Sequence, residues 1–278
     1  MALGDTGRKI KESVSGIVQG TGDVVGGTVA TVKDTVSGTL RGAGDVAKDA
    51  TQAVADAITG ALQAVGEVGG SIVDVVRGTV VGVIEGVGEI TTVTAGVVSN
   101  TVRAAIKGTS EIGGDVAEAA AGTAQAAIAA TRNVALDVEE TAVSVGRGAI
   151  LGAKDIGADV VTTASETVGG VVKGARDIAA DAVSAIQSTA TGLVKGAGEV
   201  GADVTGVARG AVVGAIETAR DVGLNVEEAA SAAATGAIEG ARGLGQSAVD
   251  AVRGVVSGTV EGVKVTVKGD KGGAAKKT

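Results

Sequence analysis

A 22-residue repeat runs through almost the whole chain without an insertion or a deletion. One position recurs at this interval from Gly20 to Gly262, as Gly in nine copies and as Ala or Thr in the other three. Two residues before it, an aliphatic residue recurs from Val18 to Val260. Self-similarity at a fixed period is typical of repeat architectures, in which each unit buries its apolar face against its neighbours. The repeat therefore restricts the fold more than length or composition does.

The apolar residues within one repeat have helical spacing. Between Ile10 and Val32 they follow one another at steps of three or four residues, so that one repeat makes six helical turns. This is about 3.67 residues per turn, the period of a nearly straight helix or of a slight right-handed supercoil. The sequence predicts an all-α protein of long amphipathic helices, arranged as an extended rod or as an antiparallel bundle.

A parallel β-solenoid is the alternative fold, because a unit of this length can also form one coil and Val, Thr and Gly occur in strands. In such a coil the positions that alternate inward from Val14 would include Glu12, Asp34 and Asp56. Charge would then be buried in every early coil, which is costly unless it is paired. The chain also lacks Pro for corner turns. These features favour helices.

The composition limits the core to small aliphatic side chains. Phe, Tyr, Trp, Cys, His and Pro are absent, and 48 residues are Gly. Each Gly in a helix interior costs roughly 0.8–1 kcal/mol relative to Ala, so 48 of them penalise an isolated helix by on the order of 40 kcal/mol. We therefore expect helices to form only where their apolar stripe is buried, against a partner helix or at an interface.

Two sets of repeat positions define the faces of the predicted helix. The apolar stripe is centred on Val18, Leu40, Leu62, Ile84, Ile106, Ile128, Ile150, Val172, Val194, Ile216 and Ile238. The second set is a border of glycines four residues apart, a pattern that lets another helix backbone approach closely. We call this border the glycine ridge. It comprises Gly16, Gly20, Gly38, Gly42, Gly82, Gly86, Gly148, Gly152, Gly170, Gly174, Gly192, Gly196, Gly236 and Gly240.

The expected domain organisation has two parts. Residues 1–263 form twelve 22-residue amphipathic repeats, and residues 264–278 form a basic flexible tail whose first residues could instead pair as a strand. The tail has a net charge of +4. Because the net charge of the whole chain is −8, the repeats before the tail have a net charge of −12. The Gly pairs at 26–27, 69–70 and 113–114 are the candidate hinges between helices.

No residue pattern in the chain points to catalysis. Without His or Cys there is no Cys–His pair, no Ser–His–Asp triad and no imidazole or thiolate metal ligand. Neither an Asp-rich calcium loop nor a phosphate-binding Gly-Lys-Ser/Thr sequence is present. We expect a protein that is not an enzyme, with no catalytic residues, cofactor, metal or small-molecule substrate. An acidic body without aromatic residues also predicts no binding to nucleic acid.

Segments such as Lys173–Ala179 and Val80–Val87 have the 11-residue amphipathic pattern of certain lipid-surface proteins. In this pattern, residues 8–263 resemble the synuclein, perilipin and exchangeable-apolipoprotein type of protein. The lack of aromatics and Cys is similar to that of late-embryogenesis-abundant proteins. The first resemblance implies helices that coat a lipid surface, and the second implies protection under stress.

Three functions are therefore open at the level of sequence. The first is a structural or scaffold protein whose helices pack into a bundle, coiled assembly or filament, with self-assembly into homo-oligomers. The second is a peripheral coat on a membrane or storage granule. The third is desiccation or cold protection, including ice binding by a threonine series at 35, 79, 101, 123, 167 and 189. With no signal peptide or transmembrane segment in the sequence, we expect a cytoplasmic protein.

Overall fold

The computed structural model of the protein describes residues 4–20, 23–42 and 46–267, with side chains described from residue 50 onward in the third segment. These residues form twelve α-helices and a two-stranded antiparallel hairpin. The helices are α1 (Asp5–Gln19), α2 (Val24–Arg41), α3 (Val46–Val68), α4 (Ile72–Gly88), α5 (Ala95–Glu111), α6 (Val116–Val134), α7 (Val138–Asp155), α8 (Val160–Asp177), α9 (Ala182–Glu199), α10 (Val204–Val222), α11 (Val226–Arg242) and α12 (Gln246–Val256). The strands are β1 (Gly258–Val260) and β2 (Val263–Val265).

In the continuous described segment from Val46 onward, successive helices are separated by short turns, and from α6 to α11 each 22-residue repeat forms one helix and one turn. Short turns make consecutive helices antiparallel, so helices two places apart run parallel and pack most extensively against each other. The odd-numbered helices therefore form one layer and the even-numbered helices a second layer. The all-α prediction is confirmed, in the form of an antiparallel bundle of repeats. The extended rod and the β-solenoid are not formed by the described residues.

The core lies between and within the two layers. Its largest fully buried side chains are aliphatic and include Ile10, Leu40, Ile84, Ile150 and Ile216. Among the stripe residues, ten of the eleven are at most 2 % exposed, and only Val18 is half-buried. A single chain thus buries the stripe that the Gly-rich helices require for stability.

The ends of the later helices are formed by a short motif that repeats with the period. At the end of α7, the backbone N–H of Ala158 donates to the carbonyl of Ala153 at 2.9 Å, around Gly157 with a φ of 67°. This is a Schellman C-cap, which favours Gly because it needs a left-handed residue. Two residues after Gly157, Asp159 caps α8 by accepting the Val161 N–H at 2.8 Å. The helix stop and the next helix start therefore fit into the four residues between α7 and α8.

The same motif recurs through the later repeats. Left-handed residues occur at Gly113, Ala135, Gly157, Ala179, Gly201 and Gly223. The N-cap that follows each of them is Asp115, Asp137, Asp159, Asp181, Asp203 or Asn225. The apolar period alone does not reveal this series, although cap residues at a fixed distance after Gly are a recognised boundary signal. Of the candidate hinges, the pairs 69–70 and 113–114 do lie in turns, whereas Gly26 and Gly27 lie inside α2.

The helix boundaries shift by one turn within the first four repeats. Helices α2 and α3 begin one repeat apart, at Val24 and Val46, but α4 begins at Ile72, a helical turn later than one repeat after α3. From α6 to α11, successive helices again begin exactly one repeat apart. As a result, Asp23 caps the start of α2, whereas Asp155, at the same repeat position, is the last residue of α7.

The last repeat ends differently from the others. It forms the short helix α12 and then the hairpin, in which Thr259 pairs with Lys264. The expected boundary between residues 263 and 264 falls inside β2, so the first tail residues form a strand. The backbone N–H of Thr266 donates to the Ser231 hydroxyl at 3.0 Å, which places the hairpin on α11. Residues 268–278 of the expected tail lie outside the described residues.

Replacing the N-cap Asp203 with Ala is expected to lower the free energy of unfolding by about 1 kcal/mol, because the Gly206 N–H loses its acceptor. The same hydrogen bonds, from the Gly206 N–H and from the Thr205 hydroxyl, lower the pKa of Asp203. The stabilisation is therefore complete above the unfolded pKa of about 3.9 and is lost as pH falls through the folded pKa.

Urea unfolding of the Asp203→Ala variant and of the parent at pH 7 and at stepwise lower pH measures this effect. The difference between the two proteins should shrink towards zero in acid. The matched control is Asp203→Asn, since Asn225 caps α11 through its own side-chain oxygen. That variant should retain most of the cap, and its own contribution should not depend on pH. Equal stability of the Ala variant and the parent at pH 7 would contradict the assignment.

Candidate functional site: the glycine ridge

On five of the helices, the glycine ridge is the place where the helix meets the helix two places before it. Ten of the fourteen predicted ridge glycines lie against a backbone carbonyl of that earlier helix. The pairs of ridge glycine and carbonyl-bearing residue are Gly82 with Val29, Gly86 with Lys33, Gly148 with Ser99, Gly152 with Arg103, Gly170 with Ala121, Gly174 with Gln125, Gly192 with Val143, Gly196 with Arg147, Gly236 with Gln187 and Gly240 with Thr191.

The approach is too close for any side chain. A Cβ atom added at Gly174 would lie 2.7 Å from the Gln125 carbonyl oxygen. The corresponding distance from Cβ to carbonyl oxygen is at most 3.1 Å at all ten glycines. Ordinary Cβ contacts are 3.4–4 Å. At the eight glycines where this distance is under 3.0 Å, any residue other than Gly would push the two helices apart and open the thin core between them. At Gly152 and Gly196, where it is 3.1 Å, the neighbouring backbone would have to give by a few tenths of an ångström.

Three of the other four ridge glycines have no helix against them. Nothing lies within 4 Å of a Cβ placed at Gly16 or Gly38, and the nearest atom to one at Gly42 belongs to its own helix. Gly20 is exposed. These residues belong to or directly follow α1 and α2, for which the described residues contain no helix two places earlier.

The residue that offers its carbonyl to the ridge also holds a polar partner with its side chain. The Arg103 carbonyl lies against Gly152, and the Arg103 guanidinium donates through Nε and Nη2 to both carboxylate oxygens of Asp155, at 2.6 and 2.9 Å. Asp155 lies three residues after Gly152. One residue thus fixes both the distance between two helices and their register along the axis.

This combination recurs along both layers. The side-chain pairs of the same kind are Lys33 with Glu89, Gln125 with Asp177, Arg147 with Glu199 and Gln187 with Glu239. In each pair the second residue follows a ridge glycine by three positions. The bidentate hydrogen bonds lower the pKa of Asp155 and raise that of Arg103. Because the pairs are exposed or half-exposed, each one stabilises the fold only modestly and contributes mainly to register.

The threonines that could have formed an ice-binding face are inside the protein. Thr79, Thr101, Thr123, Thr167 and Thr189 are at most 1 % exposed. Four of their hydroxyls donate to the carbonyl four residues earlier, as Thr167 does to Thr163 at 2.7 Å. Thr35, the sixth member, is half-buried and donates to Thr31. The series therefore supports helix packing rather than a flat external surface.

Metal-binding chemistry is not assembled by the fold in the part of the chain that the structure describes. No group of three or more Asp, Glu, His or Cys residues there could hold a metal ion. Comparison with known proteins gives no assignment either, since no family model matches the chain and no curated protein matches it. The glycine ridge, with its paired polar residues, is thus the best-defined candidate site.

Two ridge glycines in different surroundings test directly whether the glycine ridge is a line of close contact between helices. Gly192→Ala is expected to lower the free energy of unfolding by about 2 kcal/mol or more, because the new methyl group collides with the Val143 carbonyl. Gly38→Ala is expected to raise it by up to about 1 kcal/mol, because Ala is the better helix former and the space beside Gly38 is open.

Both variants can be compared with the parent by thermal melting and urea unfolding followed by circular dichroism. The opposite signs are the essential result, because both substitutions change the helix propensity in the same direction. If Gly192→Ala were as well tolerated as Gly38→Ala, the glycine ridge would not be a close-contact line.

Proposed function

We propose that the protein is a non-enzymatic structural or scaffold protein, built as a rigid two-layer array of helical repeats. The observation that carries this proposal is the close backbone contact between ten ridge glycines and the helix two places earlier. Such contacts occur on α4, α7, α8, α9 and α11. An array in which most repeats are fixed to their neighbours in this way has the mechanical character of a spacer or platform.

The proposal includes self-assembly of the chain into homo-oligomers. The ridges of α1 and α2 continue the internal packing line, but Gly16 and Gly38 have open space beside them. A helix of a second copy could approach them as closely as helices approach elsewhere in the array. At the other end of the array, the hairpin lies on α11 and occupies the equivalent place. A symmetric pair joined through α1 and α2 is therefore favoured over an endless filament.

The buried stripe weighs against the lipid-coat alternative. Within the described residues, the large hydrophobic side chains that remain exposed are Leu244 at 39 % and Val255 at 37 %. Helices that lie on a membrane surface require an extended apolar face. The described part of the chain also contains no helix with the length and hydrophobicity that a membrane span needs. A lipid coat would require the layers to separate, with loss of the ridge contacts.

Circular dichroism with and without lipid vesicles tests the scaffold proposal. We expect strong helicity in plain buffer and little change when vesicles are added, because the stripe is already buried within the chain. An unfolded spectrum in buffer that becomes helical only with vesicles would reject the proposal and support the coat.

Light scattering coupled to size-exclusion chromatography tests self-assembly separately. The parent is expected to have a mass above the 26.3 kDa of one chain. The double change Gly16→Leu and Gly38→Leu should reduce it to that of the monomer without loss of helicity, because both positions are exposed. The matched control is Gly254→Leu, at another exposed Gly with nothing nearby. If the parent is helical but already monomeric, the scaffold proposal stands and the self-assembly proposal is rejected.

A further inference from the structure

The last repeat changes conformation part of the way along. Its first residues form α12, which ends at Val256, and the residues after it form the hairpin of β1 and β2. In α10, two repeats earlier, the corresponding residues form one helix that continues to Val222. The residue that corresponds to Val222 is Thr266, so the helix of the last repeat ends ten residues early.

The hairpin segment nevertheless has the sequence of a helical repeat. Residues 252–263 are identical to residues 76–87 of α4 at eight of the twelve positions. In α4 all twelve residues are helical. The identical positions include three glycines that lie against carbonyls of α2 in α4, and their counterparts are Gly254, Gly258 and Gly262. The sequence of the last repeat is therefore compatible with a longer helix.

The packing of α12 on α10 is incomplete. α10 itself lies on α8 through Gly210, which faces the Val161 carbonyl. The residue two repeats after Gly210 is Gly254, and nothing lies within 4 Å of a Cβ placed there. Val255 is 37 % exposed, whereas Ala211, at the same repeat position of α10, is 0 % exposed. The last repeat therefore has the residues for a close glycine contact with α10 but does not form it.

The polar pair that accompanies such contacts elsewhere is already in place. Nη2 of Arg209 in α10 lies 3.6 Å from Oε1 of Glu261 in the hairpin turn. These two residues are 52 positions apart, as are Arg103 and Asp155. Arg103 also offers its carbonyl to a glycine three residues before its acidic partner. In the last repeat that glycine is Gly258, so the pair holds the segment over α10 at the register that a longer helix requires.

The hairpin is short and its turn is not ideal. Each strand has three residues, and a two-stranded hairpin is at best marginally stable by itself. The turn places Glu261 and Gly262 at φ values of 48° and 78°, and the first of these positions favours Asn, Asp or Gly. The helical alternative has its own cost, because Thr259 and the valines of this segment are β-branched. Packing against the neighbouring helices therefore decides between the two conformations.

We propose that residues 257–266 are a conformational switch, which forms either the hairpin or a continuation of α12 that packs on α10 as α10 packs on α8. In the hairpin form, the Thr266 N–H donates to the Ser231 hydroxyl and β2 lies on α11. In the helical form, the same N–H donates to the Gly262 carbonyl, four residues earlier. The switch thus controls whether the surface of α11 around Ser231 is covered. It does not depend on self-assembly, because it concerns contacts within one chain.

Backbone ¹³Cα chemical shifts of the full-length protein distinguish the two forms residue by residue. In the parent, Thr259 and Val263 should have strand shifts and exchange with a minor helical form, measured by relaxation dispersion or saturation transfer. Gly262→Ala should raise the ratio of helical to hairpin form by about tenfold or more, because Ala disfavours the left-handed turn position and is the better helix former. Glu261→Asn should lower the ratio by about threefold, because Asn-Gly suits this turn.

A second change tests the packing of the helical form on α10. Gly254 lies in open space in the hairpin form, so Gly254→Leu is tolerated there. In the helical form the Leu side chain would collide with the Thr205 carbonyl, which is the counterpart of Val161 two repeats later. Gly254→Leu combined with Gly262→Ala should therefore lose the helical shifts that Gly262→Ala alone gains. Leu is a good helix former, so reduced helix propensity would not explain this loss.

A disulfide provides the locked control. Thr259 and Lys264 pair across the hairpin, where Cα atoms about 4.5–5.5 Å apart allow a disulfide between Thr259→Cys and Lys264→Cys. In a helix these positions are separated by about 7.5 Å along the axis, which is too far. The chain has no Cys of its own, so this bond is unique, and its oxidation should abolish the exchange.

Thermal melting establishes that each variant is folded. A Gly262→Ala variant in which Thr259 and Val263 keep strand shifts, or have neither strand nor helical shifts, would overturn the switch. The same exchange in the oxidised double-Cys protein as in the parent would also overturn it. Equal helical populations with and without Gly254→Leu would overturn the proposed packing on α10.

Discussion

The close contact between a glycine of one helix and a carbonyl of the helix two places earlier is the interaction on which the whole structure depends. The interior contains no aromatic side chain, and its largest members are Ile and Leu. Side chains of this size can fill the space between helices only if the backbones lie unusually close together. The glycines that weaken each helix in isolation are therefore required for the core, and the buried stripe offsets their conformational cost.

Register depends on the same contact. Arg103 fixes the distance through its carbonyl and the axial position through its guanidinium, and Arg147 does the same in the next odd helix. Because both functions belong to one residue, a helix cannot slide without losing a packing contact and a polar pair together. The ridge contacts are nevertheless interrupted at α5 and α6, where Ala104, Ala126 and Ala130 occupy ridge positions.

The burial of the apolar stripe limits what the sequence resemblances imply. An 11-residue amphipathic period is shared by proteins that lie on lipid and by proteins that pack helix on helix, since the period specifies a face and not its occupant. In this fold the occupant is the chain itself, and residues such as Ile84, Ile150 and Thr167 are buried among other helices. The scaffold proposal follows from that use of the stripe. The lipid-coat proposal would require it to be released.

The sequence by itself determined the helical class, the 22-residue unit, the position of the stripe and the position of the glycine ridge, because all four depend on local periodicity. It also contained the helix boundaries, in cap residues such as Asp159 and left-handed positions such as Gly157, although the amphipathic pattern conceals them by continuing through each turn.

Only the tertiary structure decided which backbone meets Gly192 and that successive helices in the described residues fold back on one another. The physical reason is that these properties depend on contacts between residues more than two repeats apart in the sequence. A helical period describes one helix and contains no information about the direction or distance of the next. The turns set the direction, and the ridge sets the distance.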